Sequence, residues 1–424
     1  MQNKSSYRMA WLVCALAAIF YCYEYLLRIS PSVMSQQLMQ AYHLTATQFG
    51  NLTAYYYYIY TPMQIVVGVL FDRFGTRVLL TFACLICSLG TFLFSNGDSV
   101  ALAAFGRLLV GLGSSFAFVG SLKLITLWLP ERHFALGAGF MTALGSIGAI
   151  SGDIILTTVV EHSGWREANF NAAILGIILA VILALFIRDF PKNTENPSQY
   201  RIPFKTILSG LLESLMSKQI WLTGIVGCLL YLPISTFAEL WSIPYLQQAR
   251  GYSPQDAASA ASMTFFGWMI GCPLAGYISD RFKNRLIPMF VGAIISLVFL
   301  AIFLYVPHLS FNLMRVMFVL LGMCGSVQAL VFAIGRESSR PEIGATVIAL
   351  MNMLVMVGGV VFQPVIGILL DLHWAGTFLP NGTRAYTADS FVFALSILPI
   401  GVVIALITIG FMKETHARLR QHTK

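Results

Sequence analysis

Charge is what this sequence has least of. Only 10% of its 424 residues are Asp, Glu, Lys or Arg, where a soluble domain carries roughly a quarter. Hydrophobic residues make up 57% and the mean hydropathy is +0.76. A water-soluble globular protein is excluded, since too little polar surface exists to cover it. Acid is scarcer than base, 18 residues against 26, for a formal charge of +8. The seven histidines form no cluster. Of the seven cysteines, the one close pair, Cys84 and Cys87, sits in an apolar run with no second pair to complete a metal site. They read as packing residues. There is no His-Glu-x-x-His, no Gly-x-Ser-x-Gly and no phosphate loop, which leaves no hydrolytic or nucleotide-driven chemistry to assign. No enzyme activity, metal or cofactor is expected.

What is abundant is long apolar runs. A bilayer core needs about 20 such residues per helix, and runs of that kind start near Met9, Thr47, Val78, Val100, Phe134 and Ala168, then near Gln219, Asp256, Leu286, Ser310, Gly344 and Ser390. The first is too long for a signal-peptide core and lacks a cleavage pattern, so it is expected to stay as a membrane span. Twelve transmembrane helices in two sets of six follow, an all-α membrane protein. The expected domains are 1–188, a linker over 189–218 rich in Pro and Asn, and 219–424. Threading the chain with its N-terminus in the cytoplasm places 20 of the 26 basic residues on that side. Arg166, Arg250 and Arg384 fall outside, and Arg28, Arg107 and Arg315 fall within spans. By the positive-inside rule both termini are cytoplasmic. Basic residues dealt out loop by loop do not make a nucleic-acid stripe, so no nucleic-acid partner is expected.

An internal repeat gives the sharpest signal. Gly68, Asp72, Arg73 and Arg77 recur as Gly276, Asp280, Arg281 and Arg285, each 208 residues on, and the same offset carries Arg107 onto Arg315 and Arg132 onto Arg340. The block Gly-x-x-x-Asp-Arg, with Gly75 before Arg77, resembles the loop signature of the major facilitator superfamily (MFS), and Arg107 with Gly111 and Gly113 resembles its span-four motif. The resemblance implies two pseudo-symmetric six-helix bundles that rock about a site near the midplane. Lys283 replaces the glycine at the Gly75 position, which makes a tight turn there less assured. Physically, Gly68 and Gly276 allow close helix approach, and Asp72 and Asp280 can accept hydrogen bonds from a facing helix N-terminus or nearby arginines, latching one rocking state. The plainer reading is that these arginines only set topology.

An ionisable group inside a span costs at least a few kcal/mol unless it faces a cavity or a partner. Glu24 and Arg28 lie i, i+4 on one face of span one with Tyr21 and Tyr25 alongside. A structural intrahelical pair is the alternative to a proton-loading carboxylate and an anion-gripping guanidinium. Arg107 enters span four from the outer side and Glu24 reaches the same level from the inner side, so the two can meet, with Arg107 holding Glu24 ionised; the resemblance to anion:proton symporter branches implies a part for such a pair in proton coupling. Asp153 in span five is a second candidate proton site. Asp153 follows a ridge of Gly145, Gly148 and Gly152 that lacks the proline usual in drug:proton antiporters. In span seven Glu239 lies between Pro233 and Pro244, where a bent span with a carboxylate suits an outer gate or a substrate ammonium contact, and the plainer reading of Trp241 is a lipid-interface anchor. Leu232, not an acid, matches Glu24 in the repeat. Gln328 and Asn352 can line the cavity. Of the run Tyr55 to Tyr58, at most two can face it, and Tyr55 and Tyr58 are chosen as i, i+3 neighbours.

These residues point to a secondary transporter working by alternating access. Proton-coupled symport of a small anionic or zwitterionic solute is expected, such as an organic acid, amino acid or short peptide. Its partners are that solute, protons and the lipid bilayer, and it is expected to function as a monomer in a bacterial inner membrane. Proton-antiport export of a siderophore or drug is the alternative, and a transporter-like membrane sensor is the alternative from another class.

Overall fold

A computed structural model describes residues 4–190, 204–340 and 343–416. Among these, ten helices are long and apolar enough to cross a bilayer. One of them belongs to α6 (Glu131–Phe186), which breaks at Gly164, where φ is 81° and ψ is 163°, and so makes two crossings. A further 29-residue helix, α3 (Ala46–Phe74), falls short on hydropathy because Tyr55 to Tyr58, Tyr60 and several amides dilute its apolar content. The total is twelve crossings among the described residues.

The first half comprises α1 (Lys4–Val33), the short α2 (Ser35–Ala41), α3, α4 (Thr76–Asn96), α5 (Val100–Trp128) and α6; a helix, α7 (Phe204–Leu215), follows within the expected linker. Residues 191–203 of that linker, including Arg201, lie outside the described residues. Span seven is built from α8 (Lys218–Leu232), a π-helical stretch Pro233–Trp241 and α9 (Ser242–Gln248). Then come α10 (Pro254–Phe282), α11 (Leu286–Tyr305), span ten as α12 (Phe311–Gly325) and α13 (Leu330–Glu337), α14 (Gly344–Leu372), and span twelve as α15 (Ala388–Leu395) and α16 (Ile397–Ile409).

The 208-residue repeat is exact at the level of elements: α3 shifted by 208 is α10, end to end. Each starts on a hydroxyl that caps its first turn, Thr45 accepting from the Gln48 N–H and Ser253 from the Asp256 N–H. Their exits differ. Gly75 takes φ 84°, ψ 159°, a region open only to glycine, whereas Lys283 closes the matching turn at φ 51°, ψ 39°, the left-handed helical region a side chain can enter at modest cost. The turn therefore forms in both halves, and the glycine is needed in only one.

Within the first half α1 packs on α6, and α4 on α5 and α6; in the second, α10 packs on α12 and α8 on α14 and α16. Across the halves α3 runs antiparallel along α14, and α6 meets α10. Hydrogen bonds join the halves from Asn352 and Gln64 outward to the end of the bundle opposite the termini, the far end. There Asp371, at the last turn of α14, accepts from both the backbone N–H and the hydroxyl of Thr47 at the start of α3, at 2.9 and 2.6 Å. A carboxylate set on exposed N–H groups of a helix start is favourable in charge and in geometry. Tyr386 donates to the same carboxylate at 2.6 Å, and Arg384 pairs with it at 3.0 Å. Ser32 donates to the Leu240 carbonyl at 2.9 Å. These two positions are 208 apart, so their contact lies on the pseudo-twofold axis. At the terminal end, by contrast, a β-carbon at Gly68, Gly139 or Gly276 would meet nothing within 4 Å among the described residues, so the close helix approach expected at Gly68 and Gly276 is not seen there.

Glycines mark the two kinds of seam. A β-carbon at Gly148 would run into the Cys22 carbonyl inside the first half, and one at Gly367 into the Ala46 carbonyl across the halves. Gly148→Val is expected to cost about 1–3 kcal/mol by overpacking and to lower the melting temperature. Gly367→Val is expected to leave helical content unchanged but to raise hydrogen exchange at far-end amides. Equal behaviour of the two variants would contradict this division.

Candidate substrate site

The prolines organise the site. Pro31 has no N–H, so the Leu27 carbonyl four residues earlier loses its helical partner inside the bilayer, where a bare carbonyl is expensive. The Ser30 hydroxyl donates to it at 3.0 Å, and Arg107 on α5 supplies a second donor. Its Nη1 reaches the Leu27 carbonyl at 3.0 Å and its Nη2 the Arg28 carbonyl at 3.3 Å, with the guanidinium 5.2 Å over the Tyr56 ring. The expected meeting of Arg107 with Glu24 therefore does not occur. Arg107 grips the backbone of α1 and so sets where Arg28 points. Pro244 repeats the device, since the Leu240 carbonyl it leaves open is the one Ser32 takes.

Arg28 is the centre of the cluster. Its Nη2 and Nε bind Glu24 Oε1 at 2.5 and 3.1 Å, as the i, i+4 spacing implied, and Nε also donates to the Tyr56 hydroxyl at 3.0 Å. Its Nη1 faces Glu239 Oε1 across the halves at 3.7 Å, an ion pair too long for a hydrogen bond. The rings of Tyr25, Tyr60 and Tyr56 surround the guanidinium at 4.4, 5.0 and 5.4 Å, a geometry that adds cation–π attraction in a desolvated setting. Glu239 in turn accepts from Tyr25 at 3.4 Å, from Tyr231 at 3.3 Å, and closely from Tyr57. The π-helical turn aims it: one extra residue per turn, introduced after Pro233, rotates Glu239 inward. Glu24, Arg28, Arg107 and Glu239 are all buried, and Glu24 Oε2 has no hydrogen-bond partner among the described residues.

Toward the terminal end Asn352 donates to Gln64 at 2.8 Å across the halves, and Gln64 donates to the Tyr60 carbonyl at 3.4 Å. Gln328 is buried on a 3-10 turn, Ser326–Ala329, with no hydrogen-bond partner for its amide nitrogen among the described residues. Tyr21 stacks edge-on with Tyr25 at 5.7 Å and packs against Gly145. Asp153 is fully buried on α6, separate from the Arg28 cluster, and neither of its oxygens has a hydrogen-bond partner among the described residues. The choice of tyrosines is reversed: Tyr55 and Tyr58 pair with each other, and Tyr58 is 39% exposed on the outer surface, while Tyr56, Tyr57 and Tyr60 face the site. Trp241 is no lipid anchor; it is buried against Phe49 and donates to the Gln363 carbonyl.

The family's sequence profile, described as Major Facilitator Superfamily, matches residues 10–363. The chain belongs to the major facilitator superfamily. It is an integral membrane transporter and not an enzyme. Among curated relatives it is 26% identical over 310 residues to a "Probable sulfoacetate transporter SauU" of Cupriavidus necator, covering 68% of this chain and 71% of that one. It is 24% identical over 439 residues to a "Probable galactarate/D-glucarate transporter GudP" of Escherichia coli, covering 95% and 94%. A crystal structure of a bacterial homologue of the human lysosomal transporter Spinster, inward-facing and occupied, shares its fold with a TM-score of 0.77 at 17% identity, over 96% of this chain and 97% of that one.

The MFS loop residues sit at the terminal end. Arg285 binds Asp280 at 2.6 Å and Glu337 at 2.8 Å, and Glu414 accepts from the N–H groups of Arg285 and Leu286 at the start of α11. Burial alone would raise the Glu414 carboxyl, but backbone N–H groups of His416, Leu286, Arg285 and Thr415 hold it below the usual carboxylate range. In the first half Asp189 takes the corresponding place, accepting from the Thr76 and Arg77 N–H groups, while Arg77 Nε donates to the Ala184 carbonyl. Arg73 and Arg281 are exposed. The Asp72 and Arg132 side chains lie outside the described residues. Arg340 of the second half pairs at this end with Glu213 of the linker helix α7 at 2.5 Å.

Arg28→Ala would leave Glu24 and Glu239 buried without their ion-pair partner. A loss of about 3–5 kcal/mol in stability is expected, read as a fall in melting temperature in detergent, with Glu24→Gln added to Arg28→Ala recovering part of it. An Arg28→Ala protein as stable as wild type would contradict this assignment of the charges.

Proposed function

We propose that the chain carries a small organic anion through the bacterial inner membrane by alternating access, coupled to protons. The observation that carries this reading is Arg28, a caged guanidinium at the seam of the two halves with a donor group turned to the other half. The moving bodies are residues 1–188 and 219–424, joined by 189–218, acting as a monomer, with both termini in the cytoplasm. On that orientation the far end is periplasmic and closed in this state. Arg28 receives the solute's acidic group, Arg107 fixes Arg28 through the α1 backbone, and Tyr25, Tyr56, Tyr57, Tyr60, Gln64 and Asn352 offer rings and amides to the remainder of the solute. The buried carboxylates Glu24, Glu239 and Asp153 are the groups available to protons. Relatives named for sulfoacetate and for galactarate or D-glucarate support an anionic solute class.

Uptake into proteoliposomes driven by an imposed pH gradient tests this, preceded by a thermal-shift panel of organic acids. A ligand at 100 times its dissociation constant is expected to raise stability by about 2.7 kcal/mol. Accumulation that follows the pH gradient in the wild type and is lost when the gradient is collapsed supports proton coupling. Binding without accumulation would support a sensor instead.

A further inference from the structure

We infer that Glu239 and the transported anion take turns as the counter-charge of Arg28 across the two halves, so that one singly charged anion crosses with one proton. The inference rests on the transport reading above and adds which carboxylate moves the proton and which charge of solute fits.

Three observations converge on it. First, the two arginines are not equivalent: both Arg107 end nitrogens are committed to backbone carbonyls of α1, and Arg28 gives Nε and Nη2 to Glu24 of its own helix. Arg28 Nη1 is turned across the seam, where it faces Glu239 at 3.7 Å in an ion pair that is not a hydrogen bond. Second, Glu239 is the carboxylate of the cluster contributed by the second half, and two of its hydroxyl donors, Tyr25 and Tyr57, belong to the first. When the far end opens these contacts must separate, whereas the Glu24–Arg28 pair rides intact on α1. Third, the cluster balances: Arg28 and Arg107 against Glu24 and Glu239.

A bare charge in a closed intramembrane cavity is expensive, so closure favours balanced forms. Two satisfy the count. In the empty form Glu239 is ionised and faces Arg28. In the loaded form the anion's carboxylate or sulfonate sits on Arg28 Nη1 and Glu239 carries a proton taken from the solvent on the entry side. That proton leaves to the other side when the anion does. Protonated Glu239 donates to the Tyr25 or Tyr231 hydroxyl, so no polar group is stranded. A dianion leaves one negative charge over and is excluded unless a second proton enters. The charged and titratable groups around Glu239 are Glu24, Tyr25 and Arg28 from α1, Tyr57 from α3, Arg107 from α5, and Tyr231 and Tyr245 from its own span. Of the other helices packed against it, α10 has Asp256, Tyr277, Asp280 and Arg281 near its ends and Cys272 between, α12 has Arg315 and Cys324, and α14 has Asp371 at its far end.

The test uses the full-length protein in two arms. Without solute, amide hydrogen exchange is compared among wild type, Glu239→Gln and Glu24→Gln at one pH. Glu239→Gln is expected to raise exchange severalfold in peptides around 36–50 and 366–390, and Glu24→Gln is not. Equal effects of the two, or none in Glu239→Gln, overturn the inference. In proteoliposomes D-glucarate is compared with D-glucuronate, the same six-carbon chain with one acid group. The wild type is expected to take up glucuronate with one proton and to prefer it at least tenfold, while Glu239→Gln exchanges glucuronate without accumulating it under a pH gradient. Preference for glucarate, or a coupled Glu239→Gln, overturns it. If the wild type transports neither acid, the solute reading fails separately and the exchange comparison still decides the role of Glu239.

Discussion

The buried charges at the seam of the two halves converge on one ion-pair system, Arg28 between Glu24 and Glu239. The bilayer makes such a system costly to assemble and more costly to break. Its surroundings are understandable as the means of keeping it satisfied. Pro31 opens a carbonyl, Ser30 and Arg107 close it, and the contact from Arg107 fixes the direction of Arg28. The π-helical turn after Pro233 brings Glu239 round to the seam, and tyrosines from three helices supply hydroxyls and ring faces that need no charge of their own.

The repeat explains the frame but not the site. Equivalent residues Ser32 and Leu240 touch on the pseudo-twofold axis, α3 and α10 coincide under the 208-residue shift, and each half closes its third-helix start with an acid, Asp189 or Glu414. The charges near the axis break that symmetry. Thr236 matches Arg28, Leu232 matches Glu24 and Pro31 matches Glu239. One half holds a cation with its resident partner, and the other brings a single anion. An asymmetric pair across a symmetric hinge is what allows a solute charge to be exchanged for a protein charge while the hinge itself repeats. The far end carries a second cross-half contact of the same electrostatic kind, Asp371 on the N-terminus of α3, where a helix dipole stands in for a cation.

Hydropathy and the repeat made the fold legible in the sequence, because each depends only on which residues occur and how far apart. The Glu24–Arg28 pair was legible for the same reason. The tyrosine faces were not. One residue of helix is about 100° of rotation, so choosing Tyr55 and Tyr58 over Tyr56 and Tyr57 turns on a phase that composition does not set. The stack of Tyr56 on Tyr60, an i, i+4 pair, was an available hint. Glu239 carried its own ambiguity, since a π turn shifts every later residue. Arg107 was misassigned for an instructive reason: charge suggested a carboxylate partner, while the N–H missing from Pro31 marked Leu27 as the acceptor four residues back.

The central claim is that the cavity changes its occupants but not its net charge between the two closed forms. The most direct measurement is the initial rate of D-glucuronate uptake by wild-type proteoliposomes at a fixed pH gradient, with a potassium diffusion potential set by valinomycin to either sign. The account predicts that the rate is the same at both signs and that no transport current accompanies it. A rate that follows the potential, or a current that scales with uptake, would contradict it.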